Sequence, residues 1–419
     1  MITTQPSCND IHEPGLIPVK DALARILAAV PAVSGYERLN IEHARGRTLY
    51  QSVISAVNVP AHTNSAVDGY ALHAEDLPGQ GTRRLEIIGQ AFTGRPYAGD
   101  TARGQCVRIM TGAPMPAGLD TVIMQEQVQL SDNSIELDSR HKAGQNVRQA
   151  GEDIRQGQSV LQPGKYLTPP DIGLCASLGI AEINVCRKLK VAIASTGNEV
   201  FGIGQTLGTG GIYDSNRYSL LAALDRPDIE VINLGILEDD PETLLKRFQE
   251  AGAYADVIIS SGGVSVGEAD YTKTALQGSG QVDFWKVAIK PGRPLAFGRI
   301  GKAAFFGLPG NPVAVMVTFY QFVLPALEKM LGITDKPIAP AFLAKACENL
   351  RKKPGRTEIY RGIIEQSEHG EWRVKTTGKQ GSGILSSMSL ANAFIILAHD
   401  STDIKAGEWV TVQPFSGMF

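Results

Sequence analysis

The chain has 419 residues, 43% of them hydrophobic, enough for two to four domains with packed cores. A formal net charge of −3 provides no global basic field, so a general nucleic-acid binder is excluded and any anion site must be a local cluster. Five scattered cysteines (Cys8, Cys106, Cys175, Cys186, Cys347) with no CxxC pair exclude a disulfide framework and a zinc site, and suit a reducing compartment.

The first residues, MITTQPSCNDIHEPG, lack the basic start and apolar run of a signal peptide. From Leu16 to Val30 apolar residues recur with helical spacing until Pro31 stops them. Between Val53 and Val160 short alternating runs are punctuated by Gly and Pro, the pattern of an all-β domain at 53–156. Thr168-Pro169-Pro170-Asp171 signals a helix start, with Gly179 as its stop. We expect 14–52 and 157–188 to form one discontinuous helical and extended domain around the inserted β domain. From 189 to 337 strands and helices alternate, predicting an α/β domain with a mainly parallel sheet. Asn311-Pro312 starts a long apolar helix; the stretch from Pro312 to Leu327 is short for a bilayer and contains Gln321 and Pro325, so we expect a buried helix and a cytoplasmic protein, not a membrane one. Residues 338–419 return to alternation and predict a small β barrel.

In a parallel α/β sheet, ligands bind beyond the carboxyl ends of the strands. The loops leaving those ends are Ser195-Thr-Gly-Asn-Glu199, Leu237-Glu-Asp-Asp240, the glycine loop through Gly262, Gly263, Ser265 and Asp270, Lys290-Pro-Gly-Arg293, and Gly307-Leu-Pro309-Gly-Asn-Pro312. They bring Glu199, Asp239, Asp240, Glu268 and Asp270 to one edge, with Lys286, Lys290 and Arg293. Paired glycines admit close backbone approach by a phosphate, and acids beside phosphate suit Mg²⁺. Each residue also has a plain structural reading. Asp240 before Pro241 is a helix cap first; Glu199 and Asp270 can be solvated loop acids; Lys286 can face water; Asn311-Pro312 is a helix start before it is an anion site. In the β domain, Asp68-Gly69 and Thr111-Gly112 can be turns, and Arg148 is a candidate anion contact. No HExxH, P-loop, serine elbow or cysteine–histidine set is present, so positioning and metal assistance are expected in place of a protein nucleophile.

NSAVDGYA at Asn64, RIMTGAP at Arg108, GQNVRQAGED at Gly144, STGNE at Ser195, GGVSVGEADYTK at Gly262, KPGRP at Lys290, GLPGNPVA at Gly307 and QGSGILSS at Gln380 together resemble the molybdopterin molybdenumtransferases and the E domain of gephyrin, over essentially the whole chain. The resemblance implies a four-domain homodimer whose three-layer α/β domain is similar to the molybdopterin adenylyltransferase acting one step earlier, a transient partner. It implies a reaction in which adenylated molybdopterin and molybdate yield molybdenum cofactor and AMP with Mg²⁺. By that resemblance Glu199, Asp239 and Asp270 are functional acids and metal ligands. Asp68 and Thr111 complete the site from the partner subunit, and Arg148, Gly262, Gly263, Ser265, Lys286, Lys290, Arg293, Pro309 and Pro312 line the pocket. His62-Thr63 and Asn198 depart from the family's common residues, Asn198 replacing an aspartate beside Glu199. The alternative reading is a scaffolding protein that keeps the fold and binds molybdopterin without turnover.

Overall fold

The computed structural model describes residues 16–262, 282–336 and 341–415. At its centre lies a seven-stranded sheet of β1 (Leu16–Ile17), β2 (Leu189–Thr196), β3 (Ile229–Leu237), β4 (Val257–Ser261), β5 (Val282–Val287), β6 (Pro294–Ile300) and β7 (Ala303–Leu308). Their spatial order is β1-β5-β6-β7-β4-β2-β3, and every neighbouring pair is parallel except those made by β6. Successive strand residues point to opposite faces, so Val191 and Ile193 enter one apolar core while Ala192 and Ala194 enter another. Helices α1 (Val19–Ala29), α2 (Ser215–Ala223) and α4 (Pro312–Met330) cover the first face; α3 (Pro241–Tyr254) covers the second through Leu244, Phe248 and Ala251. The result is a three-layer α/β domain.

The β6–β7 hairpin turns at Gly301, which has φ +59°. Sequence patterning assigns no strands to 294–308, because strands buried on both faces read as continuous apolar runs without alternation. Helix α4 is long and apolar enough to cross a membrane, yet 72% of its apolar window is buried inside the protein, as a core helix requires. Its π segment, Phe319–Val323, ends two residues before Pro325, which has no N–H to bond back to Gln321.

One grouping expected from the sequence is corrected. Helix α1 does not pack with the 157–188 segment. Its buried residues Ala22 and Ile26 join Val191, Val257 and Met330 in the α/β core, and β1 extends the central sheet beside β5. Periodicity shows that this helix has an apolar stripe, but the stripe takes whichever apolar surface the topology presents. The chain from 36 onward does pair with the later segment: Tyr36–Asn40 lies antiparallel to Glu182–Cys186, and Val53–Ile54 pairs with Ser159–Leu161. Ala44, Leu49, Leu167, Cys175 and Val185 form their shared core. The helix Pro169–Ser177 begins as expected, with the Asp171 carboxylate accepting from the Thr168 N–H (2.8 Å) and hydroxyl (2.6 Å).

Between these two segments, a six-stranded sheet contains Gly69–Leu72, Thr82–Ala91, Gln105–Ile109, Thr121–Met124, Gln129–Ser131 and Ser134–Asp138, with an apolar cluster on each face. At the other end of the chain, Phe342–Ala346, Thr357–Gln366, Trp372–Thr376, Ala393–Leu397 and Trp409–Pro414 form a five-stranded barrel, closed where Thr357–Gln366 pairs with Ala393–Leu397. Ile289–Lys290 adds a short parallel edge to that barrel, and Ile359, Phe394 and Phe415 pack into the α/β core.

Replacing Ile26 with Ala should weaken the α/β domain by about 2–5 kcal/mol, the usual range for emptying a buried isoleucine site. Hydrogen exchange should accelerate at β1 and β5, while the Tyr36–Asn40/Glu182–Cys186 ladder keeps its protection.

Candidate active site

Strands β2, β3 and β4 run parallel, so their carboxyl ends open on one edge. At that edge Gly197 has φ +134°, and a Cβ there would lie 2.8 Å from both oxygens of Glu199, whose carboxylate folds back over the glycine. The Glu199 main chain is held by the bond from the Ile212 N–H to its carbonyl (2.8 Å). Asp239, at the end of β3, is partly buried, and its Oδ1 has no hydrogen-bond partner among the described residues. Burial raises the Asp239 pKa above the ordinary carboxylate value, and the nearby Glu199 charge raises it further. Asp240 takes the plain structural role: its side chain accepts from the Thr243 N–H (2.9 Å) and caps α3. Two neighbouring acids, one with an unsatisfied oxygen, suit a divalent cation that keeps water and phosphate ligands; no cluster of three metal-ligating side chains exists among the described residues.

Gly262 at the mouth of the next loop has φ +94°, and a Cβ would lie 2.5 Å from the Thr196 carbonyl oxygen, so only glycine fits. Gly263, Ser265 and Asp270 lie outside the described residues. Pro309 is buried, and Pro312 opens α4. Lys286 lies on β5 between Leu16 and Pro294 in register. The Arg293 carbonyl accepts from the Val287 N–H (2.8 Å). The Lys290 charge is matched by the buried Glu358 of the barrel, with Nζ 2.9 Å from Oε2.

The β-domain residues form a second group. Asp68 accepts from the Thr111 N–H (2.7 Å) and hydroxyl (2.8 Å), and these bonds hold its carboxyl below the usual range. Arg148 is exposed and pairs in register with Asn64. No hydrogen bond joins Asp68 or Thr111 to Glu199 or Asp239 among the described residues; the two acid groups occupy different domains of one chain.

Three polar features go beyond the residues expected from sequence. Asp214 is buried and accepts from Ser195 Oγ (2.8 Å) and Arg217 Nε (2.7 Å), while Arg217 Nη1 reaches Asn233 (3.0 Å), tying the end of β2 and the middle of β3 to α2. Asn216 Nδ2 donates to Ser261 Oγ (2.8 Å) and to the Gly310 carbonyl (2.7 Å). Arg361 of the barrel is fully buried, donating to Ser387 Oγ (3.0 Å) and the Gly381 carbonyl (3.0 Å), with Nη1 unpartnered among the described residues; burial lowers its pKa to about 10. The next residue, Ser382, accepts from the Val313 N–H (3.0 Å) at the start of α4. The only sequence signal for the first two is the polar Asp-Ser-Asn run at the head of α2; Arg361 reads simply as one polar position in an alternating strand.

Residues 17–179 match the family described as MoeA N-terminal region (domain I and II), 192–329 a probable molybdopterin binding domain, and 344–415 the MoeA C-terminal region (domain IV). The molybdopterin molybdenumtransferase of Haemophilus influenzae is 44% identical over 96% of this chain and 99% of that protein. The chain belongs to the molybdopterin molybdenumtransferase family. It is accordingly an enzyme of molybdenum cofactor biosynthesis. The Nostoc molybdopterin molybdenumtransferase is 34% identical over 94% of this chain and 93% of its own length. A crystal structure of the molybdopterin biosynthesis moeA protein from Pyrococcus horikoshii OT3 matches with a TM-score of 0.83 at 29% identity, covering 95% of this chain and all (100%) of that one.

The Asp239 environment makes a prediction about stability. A carboxyl whose folded pKa is raised destabilises the fold once pH exceeds its unfolded pKa, and the penalty is complete above the folded pKa. Asp239→Asn should therefore raise the melting temperature of this transferase at neutral pH, with the gain vanishing below the ordinary aspartate range in a pH series of thermal melts.

Proposed function

We propose that the α/β edge binds adenylated molybdopterin and that the enzyme transfers molybdenum to it from molybdate, releasing AMP in a Mg²⁺-dependent step. The observation that carries this reading is the Asp239 oxygen near Glu199, unpartnered among the described residues, at the carboxyl edge of the sheet in a member of this family. Glu199 and Asp239 would hold Mg²⁺, which when bound neutralises charge on the phosphoanhydride. Gly262 and the start of α4 admit the phosphate close to backbone N–H groups. Arg361 Nη1, buried and unpartnered among the described residues, supplies a donor and a positive charge suited to the oxyanion substrate. The enzyme's contribution is then to hold two anions and a cation in reacting geometry.

Asp68 and Thr111 stand in a different domain from these acids, which supports a homodimer in which one subunit's β domain completes the partner's cleft. A transient contact with the adenylyltransferase would hand over the adenylated substrate.

Incubating the protein with adenylated molybdopterin, molybdate and Mg²⁺ and following AMP by chromatography tests the reading. Glu199→Gln and Asp239→Asn should each slow AMP release about 100-fold or more, the several kcal/mol expected for losing a metal-holding charge. No AMP from the wild-type protein would overturn the assignment of the reaction.

Subunit sharing predicts complementation. Mixing Asp68→Ala with Asp239→Ala protein under subunit exchange should recover roughly one quarter of wild-type activity, since half the dimers carry one intact site of two. Activity that stays at the single-variant level after proven exchange would place Asp68 in its own chain's chemistry.

A further inference from the structure

We infer that Asn216 is a positioning residue that clamps the mouth of the glycine loop to the loop entering α4, setting the width of the phosphate-binding gap; this rests on the reading of that edge as the adenylated-molybdopterin site. Its Nδ2 donates to Ser261 Oγ at 2.8 Å and to the Gly310 carbonyl at 2.7 Å. A carbonyl can only accept, so the amide orientation is settled: the nitrogen, not the oxygen, faces Gly310. Both amide hydrogens are thereby used to join the end of β4 to the loop entering α4, 49 residues apart in sequence between Ser261 and Gly310.

The two loops need such a tie. The neighbouring Gly262 N–H bonds to the Leu308 carbonyl (3.2 Å), and β4 and β7 stay in register only as far as Ser261 and Leu308. Beyond that point, the Asn216 side chain takes over from the sheet ladder. Asn216 is itself held in place: it lies in the first turn of α2, whose cap Asp214 is buried and bonded to Ser195 and to the Arg217 N–H (3.1 Å). Its Oδ1 is buried without a partner among the described residues, so the side chain keeps this orientation at the expense of an unsatisfied acceptor.

The discriminating variant is Asn216→Asp, which keeps the shape but replaces the donor to Gly310 with an oxygen that repels it. In assays with adenylated molybdopterin, molybdate and Mg²⁺, Asn216→Ala and Asn216→Asp should each raise KM for the adenylated substrate about 10-fold, the loss expected for two hydrogen bonds. The kcat should fall much less, and the melting temperature should stay close to wild type. Adding Ser261→Ala to Asn216→Ala should do little more than Asn216→Ala alone, because the pair acts as a unit. Wild-type kinetics in Asn216→Asp, or effects of the two single alanine variants that simply multiply, would overturn the clamp. An independent readout needs no substrate: hydrogen exchange at the Gly262 and Gly310 amides should speed up in Asn216→Ala. Faster exchange with no turnover even in wild type would leave the clamp standing and reject the functional reading; unchanged exchange rejects the clamp itself.

Discussion

Strands that send alternate residues into two separate apolar cores leave the central sheet no solvated face, so polar chemistry can occur only where the strands stop. The placement of the site depends on that restriction. Parallel strands β2, β3 and β4 stop on the same edge, and their loops are crowded together. Crowding explains why Gly197 and Gly262 stand there: a methyl group at either would meet the Glu199 carboxylate or the Thr196 carbonyl. Burial at this edge, and then the charge of Glu199, raise the pKa of Asp239.

Two aspartates show how differently the fold treats the same side chain. Asp68 is exposed and receives two donors from Thr111, so its charged form is favoured. Asp239 is partly buried, lacks a partner at Oδ1 among the described residues and feels the Glu199 charge, so its charged form is disfavoured. No cation among the described residues is bonded to Asp239 to offset that repulsion. The fold tolerates this penalty at one edge while satisfying Asp214, Asp240 and Asp256 with donors.

The barrel at the end of the chain is fixed to this edge by bonds that reach across domains. Lys290 pairs with Glu358, Ser382 accepts from the first turn of α4, and Phe394 and Phe415 enter the α/β core. Arg361 is thereby carried to the side of the α4 start with one nitrogen unpaired among the described residues.

Much of this was legible in the order of the residues: the helix starts at Thr168, Asp240 and Asn311, the alternation of strands and helices from 189 onward, the closing β domain, and, through eight motifs in order, the family. These signals are local: caps, prolines and periodicity act within a few residues of their own position. The loops holding Glu199, Asp239 and Gly262 were legible too, since loops after parallel strands are where ligands bind. Other features arise only from long-range packing. Helix α1 joins the α/β core, because an apolar stripe does not specify its partner surface. The β6–β7 hairpin is built from doubly buried strands that carry no alternation. Asn216 meets Ser261 and Gly310, and the barrel's Ser382 carbonyl meets the Val313 N–H of α4, through contacts between residues far apart in sequence that no short-range pattern encodes. The carboxyl pKa values of Asp68 and Asp239 are shifted in opposite directions for the same reason: a pKa depends on the burial and the donors that folding gathers around a carboxylate, not on the letters beside it.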